Sequence, residues 1–274
     1  MCILDEIFPK TSLLDIRSEG EFHHKSVINS ANIPYSELEE RMHELPNKSE
    51  VIHIVSTSPL SDEAITLLNA NDRHAITCDK FEYCEYETWK PCRLWEPKEF
   101  LKVIIQQIPK GQSLDLGCGS GRDSVYLNLS GWQVTGIDRL PEAINRARNL
   151  EMNSKELLIE KKLIDKNIQD IRWIVADIEN EDYWFTGEYS LITSFFFLDR
   201  DVLKKVKNNL ITGGSLCIET FTPTHREKHG KPKRDAFLAF PNELPTLFPE
   251  FEILHYDEAW RGDKHTARLW AVKK

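Results

Sequence analysis

Apolar positions along this chain gather in short runs separated by polar, helix-spaced segments. Residues 12–16 (SLLDI) and 51–55 (VIHIV) are two such runs. Later ones are Leu114 to Leu116, Val134 to Ile137, Ile171 to Ala176, Tyr189 to Ser194, Ser215 to Thr220, Phe251 to Tyr256 and Thr266 to Val272. Each is short, rich in Val, Ile, Leu or aromatic residues, and bounded by polar or glycine positions, the signature of strands. Helical spacing fills the gaps, near Tyr35–Glu44, Glu63–Leu68, Arg122–Leu129, Pro141–Leu150 and Asp201–Leu210. Before the first run of the second half, Phe100, Leu101, Ile104, Ile105 and Ile108 share one helical face, with Pro97 at its first turn. Strands alternating with helices predict an α/β protein with parallel sheets. The pattern is interrupted at 74–92, where Phe81, Tyr83, Tyr86 and Trp89 are interleaved with acids. That segment reads as a linker and sets the expected division at residues 1–85 and 86–274.

The stretch around which the second half is organised is Ser113 to Asp138, SLDLGCGSGRDSVYLNLSGWQVTGID. A strand leads into a turn through Gly117, Gly119 and Gly121, then a helix, then a strand ending on Asp138. This is the layout of a nucleotide-binding βαβ unit. Glycines let the backbone approach a ligand where a Cβ would collide, and the helix start offers unpaired N–H groups. Asp138, well beyond the turn, is placed to hydrogen-bond a ribose diol.

An acid, Asp115, stands before the first glycine, so the turn resembles motif I of class I S-adenosylmethionine-dependent methyltransferases. The longer string LDLGCGSGRDSVYL with GWQVTGID is similar to the branch containing the tellurite-resistance and thiopurine methyltransferases. The resemblance implies a Rossmann-like sheet of seven strands and S-adenosylmethionine as cofactor. It implies cofactor contacts at Asp115, Gly117, Gly119, Gly121 and Arg122, and at Asp138 and Arg139 after the second strand. Asp177-Ile178 resembles the adenine-binding acid motif, and Ser194, at the end of the fourth strand, is a further expected cofactor contact. Arg93, in the segment preceding the first strand of this half, is a candidate partner for the methionine carboxylate. After the fourth strand comes SFFFLDR, without the N-P-P-Y or D-P-P-Y of adenine-N6 methylation; Phe195, Phe196 and Phe197 are candidates for an apolar pocket wall. The basic segment 225–234 reads as a mobile loop over the substrate side. His225, His229, Asp199 and Tyr256 are all possible general bases, and the sequence does not choose among them. A soft acceptor such as a thiol would not need one.

Residues 10–75 resemble a rhodanese-like domain. Leu13-Leu14-Asp15-Ile16-Arg17, Glu21-Phe22 and Asn32-Ile33-Pro34 keep that family's pattern, while Lys25, Ser26 and Asn29 depart from it. Val55 falls at the position of the nucleophilic cysteine, and Ser56 is a poor substitute for a thiol. Covalent sulfur transfer needs a thiolate, so the resemblance implies an inactive domain with a role in interaction, dimerisation or covering a site. Asp15 and Arg17 read as a structural ion pair.

Charge sharpens this division. Residues 1–90 hold 17 acids and 8 Lys/Arg, a net of -9, whereas 91–274 hold 27 of each. Neither part has the basic balance of a nucleic-acid binder. The 6 cysteines are scattered, and the His74, Cys78, Cys84, Cys92 set matches no usual zinc spacing. The start, MCILDEIFPK, shows no secretory pattern, and no apolar run is long enough for a membrane span; a cytoplasmic setting is expected. Three functional classes stay open. One is a methyltransferase acting on a small molecule, another a protein or RNA methyltransferase recruited through the first domain, and the third a non-enzymatic cofactor-binding scaffold.

Overall fold

The computed structural model describes residues 3–55, 60–180 and 182–274. The chain divides into two compact units, Met1–Pro97 with Met152–Asn167, and Lys98–Glu151 with Ile168–Lys274. The division therefore falls at Pro97/Lys98 rather than 85/86. Residues beyond 85 are tied back to the start of the chain: the Thr11 N–H donates to the Arg93 carbonyl at 2.8 Å, and the Arg93 N–H to Pro9 at 2.9 Å. Leu94 completes the core that Leu14, Ile33, Ile52, Ile54 and Leu68 begin.

The first unit starts with α1 (Ile3–Ile7), β1 (Leu13–Asp15), α2 (Glu19–His24), β2 (Ser26–Val27) and β3 (Ala31–Asn32). It continues with β4 (Val51–Val55), α3 (Ser61–Ala70), β5 (His74–Cys78) and β6 (Tyr83–Cys84). Strands β3-β1-β4-β5 form a sheet of parallel pairs, and β2 pairs antiparallel with β6. Ser18 and Glu21 cap α2 reciprocally. Asp15 is fully buried and receives the Arg17 Nε at 3.0 Å and Nη2 at 2.5 Å, the two-point pairing that a planar guanidinium favours. The expected helix at 35–44 is instead two 3₁₀ turns, Tyr35–Glu37 and Met42–Glu44. Val55 ends β4 with its side chain buried. Ser56 and the loop to Pro59 lie outside the described residues.

The second unit has α4 (Glu99–Ile104), β7 (Gln112–Leu116), α5 (Arg122–Leu129), β8 (Gln133–Asp138), α6 (Pro141–Glu160) and β9 (Arg172–Val175). Then come β10 (Tyr189–Phe195), α7 (Arg200–Val206), β11 (Leu210–Phe221), α8 (Pro223–His229), α9 (Glu243–Thr246), β12 (Phe251–Arg261) and β13 (Lys264–Lys273). The charged stretch 151–167 reads in the sequence as a solvated helical face, yet the last nine residues of α6 and the turn after it are not simply exposed. They belong by contacts to the first unit, where the Asn153 amide donates to Glu44 at 3.0 Å.

The second unit's strands form one sheet in the order β12-β13-β11-β10-β7-β8-β9. From β7 the chain steps outward through β8 and β9, then returns to β10 and steps the other way through β11. Strands β7 to β11 pair in parallel; β13 pairs antiparallel with β11 and β12. The reversal between β7 and β10 opens a crevice at their carboxyl ends, where such sheets bind ligands. Leu114, Leu116, Ile192, Leu216, Ile218 and Leu269 fill the core beneath it. The segment expected as a loop at 225–234 begins inside α8. Pro223 sits at the helix start, where a missing N–H costs nothing, and Gly230 closes it at φ +68. No helix among the described residues is long and apolar enough to cross a membrane.

Candidate functional site

Leaving β7, the chain turns through three glycines, each with positive φ: Gly117 at +64, Gly119 at +55 and Gly121 at +78. They serve different needs. A Cβ on Gly121 would stand 2.7 Å from Ala147 and from Trp173, so this glycine lets α5 pack closely. A Cβ on Gly117 would meet Phe197 at 2.8 Å. A Cβ on Gly119 would meet nothing within 4 Å. The backbone there faces open space, as a turn built to admit a ligand must.

Asp138 ends β8 across from this turn. One of its oxygens accepts the Gly119 N–H at 2.9 Å and the other the Leu140 N–H at 2.9 Å. An ionised carboxylate accepts at about four positions, so capacity for a diol remains. A cavity of about 220 Å³ is lined by Gly117, Asp138, Arg139, Asp177 and Ile178, and walled by Phe196, Phe197, Leu198 and Phe237. Asp177 uses one oxygen to accept the Glu179 N–H at 3.2 Å. Arg139 is exposed and lies 4.0 Å from Glu179.

Asp115 does not line this cavity. It is buried, accepting from the Ser124 hydroxyl at 2.6 Å and the Thr193 hydroxyl at 2.8 Å, and so fastens β7 to α5 and β10. Burial first, then the neighbouring Asp123 charge, pushes its carboxyl up to about 7. Its role is to position the turn. Arg122 opens α5 behind Gly121. Ser194 is buried, and its hydroxyl donates to the Phe197 carbonyl at 2.7 Å, which holds the aromatic wall in place. Arg93 is corrected outright. It belongs to the first unit, where its buried guanidinium donates to the Phe8 carbonyl and pairs with Asp5 at 2.6 Å. Its charge is spent on fastening that unit. Phe237 was missed because it arrives from a distant 3₁₀ turn, Asp235–Phe237, with no local pattern to mark it.

The four candidate bases separate on their hydrogen bonds. Asp199 caps α7, accepting the N–H groups of Asp201 and Val202. The Tyr256 hydroxyl donates to Glu258, and burial with that contact pushes its acidity well out of the useful range. The His265 backbone N–H donates to His225 Nδ1 at 3.3 Å, so neutral His225 carries its proton on Nε2 and can only donate from there. Burial, followed by the His229 charge, depresses its pKa. His229 Nε2 bonds the Asp263 carbonyl at 2.6 Å, which leaves only Nδ1 to accept. Cys118, within the glycine turn, is kept un-ionised by desolvation and by Asp115 and Asp138. No group of three or more His, Cys, Asp or Glu among the described residues is arranged to hold a metal.

The first unit has its own cavity, of about 290 Å³, lined by Phe22, Tyr86 and Trp89 with Glu19, Glu37 and Glu160. The Lys161 ammonium already lies 3.4 Å from the Tyr86 ring centre there, so the chain supplies a cation to this aromatic face itself.

Comparison with known proteins agrees with the geometry of the second unit. Residues 109–245, half of the chain, match the family described as a methyltransferase domain. The chain therefore belongs to that family, enzymes whose methyl donor is S-adenosylmethionine in the relatives it matches. The probable S-adenosyl-L-methionine-dependent methyltransferase TehB of Haemophilus influenzae is 31% identical over 149 residues, 53% of this chain and 47% of that protein. The chain thus spans about half the length of that relative. The crystal structure of TehB from Haemophilus influenzae superposes with a TM-score of 0.51 at 24% identity, covering 64% of this chain and 61% of that one. An uncharacterised protein of Schizosaccharomyces pombe, UNK4.09, is 24% identical over 267 residues, 79% of each chain.

Proposed function

We propose that this chain moves the methyl group of S-adenosylmethionine to a small molecule presenting a thiol or another soft nucleophile. The observation that carries the reading is the cavity at the carboxyl ends of β7 to β10. It brings Gly117 of the glycine turn and two carboxylates, Asp138 and Asp177, together with an aromatic wall, and Asp138 holds the open Gly119 backbone through its N–H. Asp138 would accept from the ribose hydroxyls and Asp177 from the adenine amino group. Bound there, the cofactor supplies a methyl group already attached to a good leaving group. The work left to the protein is orientation and exclusion of water, which can lower the barrier substantially. Phe196, Phe197, Leu198 and Phe237 serve that purpose. Of the four candidate bases, only His229 keeps an accepting nitrogen, and it is exposed. That favours an acceptor that arrives with little need of proton removal. The TehB likeness supports the same class, as a likeness over half the chain.

The first unit, in this reading, is a rhodanese-like domain without sulfur-transfer chemistry, since Val55 offers no thiolate; its acid excess favours a protein partner as a second role. The test is methyl transfer from tritiated S-adenosylmethionine to a panel of thiols, amines and phenols. Preferential labelling of thiols is expected, and labelling of amines alone would overturn the acceptor class. Thiosulfate:cyanide sulfur transfer by the pure protein would overturn the inactive-domain reading.

A further inference from the structure

Phe196 is the residue that the cofactor cavity shares with something else. It directly follows β10 with φ +59, a conformation that bulky side chains rarely adopt, and its N–H donates to the Glu219 carbonyl at 2.7 Å. Backbone held in such a region persists only where the surroundings enforce it, and it collects at functional sites. Its ring lines the cavity beside Gly117 and Asp177. The same ring carries two ammonium groups, Lys98 Nζ at 4.6 Å and Lys264 Nζ at 5.6 Å from its centre.

Two like charges brought to one ring repel each other. Neither ammonium has a carboxylate at ion-pair distance among the described residues, although the Asp123 charge acts on Lys98 and the Asp263 and Glu219 charges act on Lys264 from further off. Glu219 accepts the Thr266 hydroxyl at 2.9 Å and lies 3.1 Å from Arg268 Nε. Asp123 accepts the Lys98 backbone N–H at 2.6 Å. Asp263 is exposed, on the turn between β12 and β13. Both lysines are half-buried, so water does not screen them fully. The Lys264 ammonium is held below the usual lysine range, by burial first and the Lys98 charge second, with Asp263 and Glu219 acting against this.

We propose that Lys98 and Lys264, seated on the Phe196 ring, form the binding site for an anionic group of the methyl acceptor. An anion placed there removes the repulsion between the two ammonium groups and lies against the wall of the cofactor cavity. The shared chemistry has two sources, which the experiment separates: a nucleophile that is itself a small anion, or an organic acceptor with a carboxylate as a handle. This inference rests on the methyltransferase reading of the same cavity.

The experiment is calorimetric titration of the full chain, in low-salt buffer, with iodide, inorganic phosphate and benzoate, each with and without saturating S-adenosylhomocysteine. Three proteins are compared: wild type, the Lys98→Met/Lys264→Met double variant, and the Lys98→Arg/Lys264→Arg double variant, each first shown to melt cooperatively. Wild type is expected to bind at least one anion, the Met variant at least tenfold more weakly, and the Arg variant within about threefold of wild type, since each tenfold loss is about 1.4 kcal/mol. Iodide or phosphate binding points to the nucleophile as the anion, and benzoate alone to a carboxylate handle. Absence of binding by all three anions, or equal binding by the Met variant, overturns the proposal. Failure of S-adenosylhomocysteine to bind counts against the cofactor reading instead, and the anion titrations without it still decide the lysine site.

Discussion

At Gly119 the positive φ and the empty space beyond it make one demand together: no side chain, for conformation and for a ligand. Gly119→Val should therefore lower S-adenosylhomocysteine affinity at least tenfold and, with no packing clash added, cost only the roughly 1–2 kcal/mol of a left-handed side chain, as calorimetry and denaturant unfolding would show; unchanged affinity would contradict this. Asp115 poses a different problem. Its folded pKa of about 7 stands above the unfolded value of about 3.9. Between those values the folded state holds the extra proton, so stability contributed by this group is full below about pH 4 and declines as pH rises toward 7. Urea midpoints at pH 5 and pH 8 should fall more for wild type than for Asp115→Asn; parallel changes would show that Asp115 titrates normally. At this scale the motif residues were legible because glycines and acids at fixed spacing are rare by chance. What the sequence hid was how side chains are spent. Arg93 looked free and is committed to Asp5 and the Phe8 carbonyl, and Asp115 looked like a ligand contact and is a clamp.

Gly121 belongs to the element scale, because it decides whether α5 can lie against its neighbours. Gly121→Val should destabilise the protein by about 2–4 kcal/mol, combining the cost of a left-handed residue with overpacking against Ala147 and Trp173. Denaturant unfolding measures this, and a loss under about 1 kcal/mol would contradict the packing described. The strands were readable as apolar runs with turn residues around them, and they occur in the order the pattern implied. Two segments were misread for physical reasons. Residues 35–44 have helical spacing and are flanked by Pro34 and Pro46, but the backbone at Arg41 leaves the helical range (φ -97, ψ 13) and the segment forms two 3₁₀ pieces. Residues 225–234 look too charged for a helix, yet Pro223 starts α8, its last turn carries Arg226, Lys228 and His229 against the C-terminal dipole, and His225 is buried on Phe221 at 4.3 Å.

Across the whole molecule, the interleaving of the units is what no local pattern announced. Met152–Asn167 lies in the middle of the second unit's sequence and belongs to the first unit. A chain starting at Lys98 would keep the sheet of the second unit but leave this segment without Glu44 and its other neighbours, so such a truncation should lose solubility or melt less cooperatively than the full chain. A well-behaved fragment with a sharp melt would contradict the assignment. The central claim, that the crevice above β7 and β10 is an S-adenosylmethionine site, is tested most directly by calorimetric titration of the full chain with S-adenosylhomocysteine, repeated on Asp138→Ala. Charge-assisted hydrogen bonds are worth about 1.5–3 kcal/mol, so binding by wild type should weaken roughly tenfold to a hundredfold in the variant. Equal affinity in the two proteins, or no binding by wild type, would contradict the site described here.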